Sequence, residues 1–145
     1  MVEVKTRGAL WPPALAVLSV FILSLSACGD GADPVPGLFG TWEWVGTSGG
    51  IAGDSRSPRP EDPRITVRFD SGGTAVFRRD GEVAREQRYR LSSEVTIFGS
   101  EELPVLYFDD EDLGRVVRME DSGTTLTLSD NVYDGFSLHY RRVTQ

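Results

Sequence analysis

RITVRFDSGGTAVFRRDGEVAREQRYRL, residues 64–91, holds two consecutive turn signals between alternating runs, and its pattern decides the fold. In RITVRF, Ile65, Val67 and Phe69 share one face while Thr66 and Arg68 share the other. That period of two marks a half-buried strand and is incompatible with an amphipathic helix. Ser71-Gly72-Gly73 then turns the chain into residues 74–79, where the inward set is either Val76 or the pair Ala75 and Phe77. Asp80-Gly81 follows, the dipeptide suited to a type I′ turn because both central residues need positive φ. Residues 82–91 continue the pattern with Val83, Tyr89 and Leu91 on a common face.

Working outward, residues 41–47 place Trp42 and Trp44 on one side. Downstream, strands are expected at 95–98, 104–109 (PVLYFD), 115–120 (RVVRME) and 124–129, the last with Leu126 and Leu128 inward. Asp134-Gly135 is a second hairpin-type pair before residues 136–143, in which Phe136, Leu138 and Tyr140 face one way. No window from residue 38 onward carries an i, i+3, i+4, i+7 apolar repeat long enough for a helix. Eight or nine strands joined by short turns predict an all-β domain, a small up-and-down antiparallel β-barrel. Closure removes the exposed sheet edges that a small chain without disulfides would otherwise present.

The beginning of the chain has a different character. Lys5 and Arg7 precede an apolar run, ALAVLSVFILSL at residues 14–25, and Leu25-Ser26-Ala27-Cys28 follows it. Twelve residues at about 1.5 Å each span some 18 Å, well short of a ~30 Å hydrocarbon core. The pattern is that of a helical export signal over residues 1–27. Leu-Ser-Ala-Cys resembles the lipobox of bacterial lipoproteins, in which the cysteine is acylated and becomes the first residue after cleavage. The resemblance implies lipid on Cys28, the chain's one cysteine, and a membrane as its first partner. GDGADPVPG at 29–37 is polar and broken by Pro34 and Pro36, so residues 28–37 are expected to be a flexible tether and 38–145 the barrel. The expected location is the bacterial cell envelope, on the periplasmic face of an outer membrane or the outside of a cytoplasmic membrane.

Residues 37–44, GLFGTWEW, resemble the opening of lipocalin-like small barrels of the calycin group, with Gly40-Thr41-Trp42 matching their Gly-x-Trp element. In that family the tryptophan plugs the closed end and an arginine late in the last strand packs over it. Arg141 and Arg142 are both available, and alternation with Phe136, Leu138 and Tyr140 selects Arg142. Trp42 and Arg142 are therefore expected as a barrel-closing pair. Residues 47–53 and the closing DGFSLHYRRV also resemble bacterial lipocalin-like lipoproteins. The resemblance implies a small hydrophobic ligand, with Ile51, Trp44, Phe69 and Tyr140 as lid or ligand-facing residues. Residues 48–63 (SGGIAGDSRSPRPEDP) form the long loop that is either a lid over the open end or disordered. The alternative is a solid barrel that works as an envelope interaction or structural protein with no ligand.

The chemistry available is narrow. A net charge of −7 over the whole chain argues against nucleic acid and against anionic membrane surfaces as partners. His139 is the one histidine, and alternation points it outward, so neither a nucleophilic triad nor a zinc site is expected. Asp109-Asp110-Glu111-Asp112 lacks EF-hand spacing and reads as a solvated hairpin loop. Arg78, Arg79, Arg85, Arg88 and Arg90 form a basic ribbon across one hairpin. It either pairs with Glu82, Glu86 and Glu94 or presents an anionic-headgroup or partner surface. No catalytic residue, cofactor or metal is expected, and the domain is expected to be a monomer.

Overall fold

A computed structural model describes residues 34–144. Residues 1–27, expected to be an export signal, and Cys28 lie outside the described residues. Nine strands follow in order: β1 (Gly40–Gly49), β2 (Asp54–Arg56), β3 (Ile65–Phe69), β4 (Thr74–Arg79), β5 (Glu82–Val95), β6 (Glu102–Phe108), β7 (Arg115–Glu120), β8 (Thr125–Asp130) and β9 (Phe136–Arg142). A short 3-10 turn at Asp121–Gly123 joins β7 to β8. The strands run β2-β1-β3-β4-β5-β6-β7-β8-β9, and β9 returns to pair with β1. The result is a closed, antiparallel eight-stranded barrel with β2 as an extra strand, compatible with a lipocalin-like fold.

The turns behave as their residues dictate. Asp80 and Gly81 have φ of 53° and 86°, the signature of a type I′ hairpin between β4 and β5. At the other Asp-Gly pair only Asp134, with φ 58°, is left-handed. Gly135 serves a steric role there, because a Cβ on it would come within 2.6 Å of the Asp130 Cβ.

Two bulges account for most departures from strict alternation. In the β4–β5 pair Phe77 opposes Arg85 and Arg78 opposes Val83, which leaves Ala84 unpaired. One extra residue moves every side chain beyond it to the other face. Val83, expected beside Tyr89 and Leu91, consequently points outward and is 59% exposed. In β1 the shift falls between Trp44 and Gly46, so Thr47 rather than Gly46 shares the inner face with Trp44. The ambiguity in β4 resolves to Ala75 and Phe77, which join the core. The expected strand at 95–98 is instead the end of the long β5 and the turn after it, with Phe98 exposed. Phe136 has the expected orientation but stands at the rim, its ring against Gly50.

The core runs the length of the barrel. Trp42, Val67, Phe69, Leu106 and Leu126 are each at most 1% exposed. Phe69 meets Tyr89 edge to face, with centroids 5.3 Å apart. Val35, assigned to the tether by its sequence, is buried, and a turn from Leu38 N–H to the Val35 carbonyl seats both residues in the core. Val35 thus packs in the core three residues before the expected boundary at 38. Val105 and Val116 oppose each other on the face away from Leu106 and Val117, yet both are fully buried. The β5–β6 turn reaches toward this side, where Ile97 N–H donates to Asn131 Oδ1 and Arg118 lies 4.6 Å from the Phe98 ring centroid.

Candidate functional site

The closed end is built from β1, β9 and the chain entering β1. Trp42 is fully buried, and its indole N–H donates to the Leu38 carbonyl at 2.8 Å. The Arg142 guanidinium lies 4.2 Å from the indole centroid. It also donates to the Gly123 carbonyl at 2.9 Å, the Phe39 carbonyl at 3.1 Å and the Gly37 carbonyl. One cation thus ties the entering chain, the β7–β8 turn and the last strand over a single aromatic face. Gly40 has φ +129°, and a Cβ there would lie 2.7 Å from Arg142 Nη1. The glycine of Gly-x-Trp is required because the guanidinium occupies the space a side chain would need. Arg141, one residue earlier, is exposed on the outer face opposite Glu43.

The other end is roofed by charge. Glu111, in the β6–β7 loop, pairs with both Arg85 and Arg115, and Arg115 Nε also lies 3.3 Å from Asp130 Oδ1. The two guanidiniums sit over the rings of Phe77 and Phe108, at 4.6 Å and 5.6 Å. Gln87 donates to Asp110, while its Oε1 is buried without a partner. Beneath the roof Tyr140 is almost entirely buried; burial pushes its phenol up to about 12, partly opposed by the nearby Arg115 and Arg85 charges. A depression of about 370 Å³ remains at the rim, lined by Thr47, Arg115, Asp130, Phe136 and Leu138. The acidic run expected as a solvated loop thus spends two of its carboxylates inside the mouth. Among the described residues no group of three or more His, Cys, Asp or Glu side chains is placed to hold a metal ion.

The four residues expected to face a ligand are not brought together. Tyr140 lies under the roof and Trp44 is half-buried near the mouth, bonded through its indole N–H to Thr47 Oγ1 at 3.1 Å. Phe69 is at the closed end of β3, packed on Tyr89. Ile51 is 90% exposed in the β1–β2 turn. In the first part of residues 48–63, Thr47, Ser48 and Gly49 pair with Arg56, Ser55 and Asp54, so residues 47–56 extend β1 as a hairpin, and residues 57–63 form no strand. Gly50 and Gly53, both at positive φ, suit the tight reversal, and Ile51 is the one large apolar side chain of residues 48–63.

Sequence reasoning missed one polar cluster because its members are far apart in the chain. Ser48 Oγ lies 2.8 Å from His139 Nε2, and Thr127 Oγ1 lies 3.4 Å from His139 Nδ1. The histidine faces outward, as alternation requires, but is half-buried between two hydroxyls. A threonine stands where a nucleophilic triad would place a carboxylate, so nothing here fixes and compensates an imidazolium. The basic ribbon also differs from cross-strand pairing. Arg85 turns into the mouth, Glu94 accepts hydrogen bonds from Ser92 and Tyr107, and Arg90 lies 4.0 Å over the Tyr107 ring. Hydrogen bonds from Ser92 and Tyr107 hold the Glu94 carboxyl below its ordinary range. Among the described residues Arg68, Arg78, Arg79, Arg88 and Arg141 make no ion pair with a carboxylate.

These features define the class: a closed all-β barrel with an aromatic-plugged end and a charge-roofed mouth. Comparison with known proteins goes no further, since no family model, no curated protein and no solved structure matches the chain.

Proposed function

We propose that this chain is a lipid-anchored protein of the bacterial cell envelope whose barrel is a filled scaffold, acting through its outer surface and not as an enzyme. The observation that supports this reading is the interior itself. Trp42, Phe69, Leu106, Leu126 and Leu128, all at most 2% exposed, occupy the space a carrier would leave for cargo. An eight-stranded barrel has an interior just wide enough to be filled by its own side chains. The anchor is acyl lipid on Cys28 of Leu-Ser-Ala-Cys, and two or more chains are needed for stable attachment, at ~0.8 kcal/mol per buried CH₂.

A second reading is favoured by the rim depression between Thr47, Arg115 and Leu138, which could admit a small amphiphile without opening the core. The filled scaffold is tested by titrating the purified protein with fluorescent apolar dyes. No saturable uptake is the expected result, and one-to-one uptake quenched by displacement would favour the carrier. Metabolic labelling with fatty acid tests the anchor: label is expected on the wild type and absent from Cys28→Ser.

A further inference from the structure

We propose that the outer face of β1, β3, β4, β5 and β9 is a docking surface for anionic phospholipid headgroups, by which the barrel lies against the membrane that carries its anchor. The proposal rests on the lipid-anchor reading above and adds an orientation to it. Strand register places Arg141 beside Glu43, Arg68 between Thr41 and Val76, Arg78 between Thr66 and Val83, and Arg88 beside Thr74. Arg90 follows two residues later on the same side of β5. Five arginines thus share one outer face with three carboxylates, Glu43, Glu86 and Glu94; Arg64 already holds Glu43 through two bonds of 3.0 Å, and Ser92 and Tyr107 bond Glu94.

Three of these cations make no ion pair among the described residues. Arg68, Arg88 and Arg141 are exposed, and no carboxylate of the described residues pairs with them. The chain's net charge of −7 does not cancel this face at short range. Charges are screened over about 8 Å at physiological salt. The acidic loop at 109–112 borders this face at its β5 edge, where Asp109 N–H bonds the Arg88 carbonyl, while Arg68, Arg78 and Arg141 lie on β3, β4 and β9. A bilayer pressed against Arg68, Arg78 and Arg141 therefore meets a local positive excess, because Glu43 beside Arg141 is already held by Arg64.

The entry point of the chain lies at the same end. Gly40 and Thr41, at the start of β1, share a depression with Arg68 and Arg142. Cys28 stands six residues before Pro34, a span of at most about 20 Å when extended. An anchor on so short a leash holds this end of the barrel within reach of the headgroups. Each arginine at an anionic surface shifts the docking equilibrium roughly fivefold.

The test uses the mature protein, purified from membranes and reconstituted into vesicles of phosphatidylcholine, alone or mixed equally with phosphatidylglycerol. Labelling of arginines by a phenylglyoxal reagent is followed residue by residue by mass spectrometry. Arg68, Arg88 and Arg141 are expected to label at least roughly fivefold more slowly on the mixed vesicles, while Arg59 in the exposed β2–β3 segment labels equally on both. High salt is expected to abolish the difference. The triple variant Arg68→Glu, Arg88→Glu, Arg141→Glu is expected to stay on the vesicles through its lipid without any lipid-dependent change at Arg78 or Arg90. Equal labelling of the wild type on both vesicles overturns the proposal. If the intact mass shows no acyl group, the anchor reading fails by itself, and the face is then judged by sedimentation of the same protein with mixed vesicles. Salt-sensitive co-sedimentation lost in the triple variant supports the face, and no co-sedimentation overturns it.

Discussion

Replacing Arg142 by alanine removes the cation that closes the barrel, and the cost follows from what it touches. Three carbonyl acceptors, on Gly37, Phe39 and Gly123, lose a charged donor. A hydrogen bond to a charged group contributes about 1.5–3 kcal/mol when buried. The side chain is half-exposed, so water re-solvates part of what is lost, and roughly half of one such contribution per carbonyl is a fair expectation. The guanidinium at 4.2 Å from the Trp42 centroid adds about 0.5–2 kcal/mol. The sum expected for Arg142→Ala is about 3–6 kcal/mol. Lysine keeps a cation over the indole but has no planar fork to reach three carbonyls, so Arg142→Lys is expected to cost about half as much. Arg141→Ala is the control, an exposed arginine with no ion pair, expected within ±0.5 kcal/mol of wild type. Urea unfolding followed by tryptophan fluorescence measures all three, with Trp42 the reporter at the lesion. An Arg142→Ala protein as stable as Arg141→Ala would refute the closure argument.

Further consequences can be checked in the same system. Trp42→Ala empties the plug and is expected to cost about 3–5 kcal/mol, with loss of cooperative unfolding. Gly114→Ala would drive a Cβ to 2.6 Å from Val105 Cγ1 and the Tyr107 ring, so a loss of about 1–3 kcal/mol is expected by denaturation. Tyr140, with its phenol raised to about 12 by burial, keeps its proton in the folded state where the unfolded chain releases it near 10. Stability is therefore fully held below pH 10 and falls as pH rises toward 12, by up to ~1.4 kcal/mol per unit, a slope that Tyr140→Phe should remove. Glu43 titrates below its ordinary range because Arg64 hydrogen-bonds its carboxylate. Its contribution is present at neutral pH and lost as pH falls through that lowered value, and NMR titration of Arg64→Ala should return Glu43 toward the ordinary range.

Local signals carried far in this sequence where spacing and chemistry agree. Asp80-Gly81 is a type I′ turn because two adjacent residues must both accept positive φ, a requirement visible in any sequence. The pair that the resemblance implies for the closed end, Trp42 with the arginine that alternation selects, Arg142, lie against each other because neither bulge intervenes between them in the register of β1 and β9. Val83 was illegible for the opposite reason: a single unpaired residue, Ala84, reverses its side, and nothing in EVAREQ marks that site. The mouth was equally hidden. Arg85, Arg115 and Asp130 lie on three different strands and Glu111 in the β6–β7 loop, and strand alternation cannot say which charges gather over aromatic rings at the mouth. The segment at 48–63 has a lid's length, but pairing of residues 47–49 with 54–56 makes its first part a hairpin that extends β1.

Native mass spectrometry of the mature protein, isolated gently and then incubated with an excess of fatty acids and apolar dyes, tests the filled barrel most directly. The account predicts the mass of the acylated polypeptide alone, before and after incubation. A stoichiometric small-molecule adduct that survives desolvation, and that disappears when Leu106 or Leu126 is enlarged to phenylalanine, would contradict it.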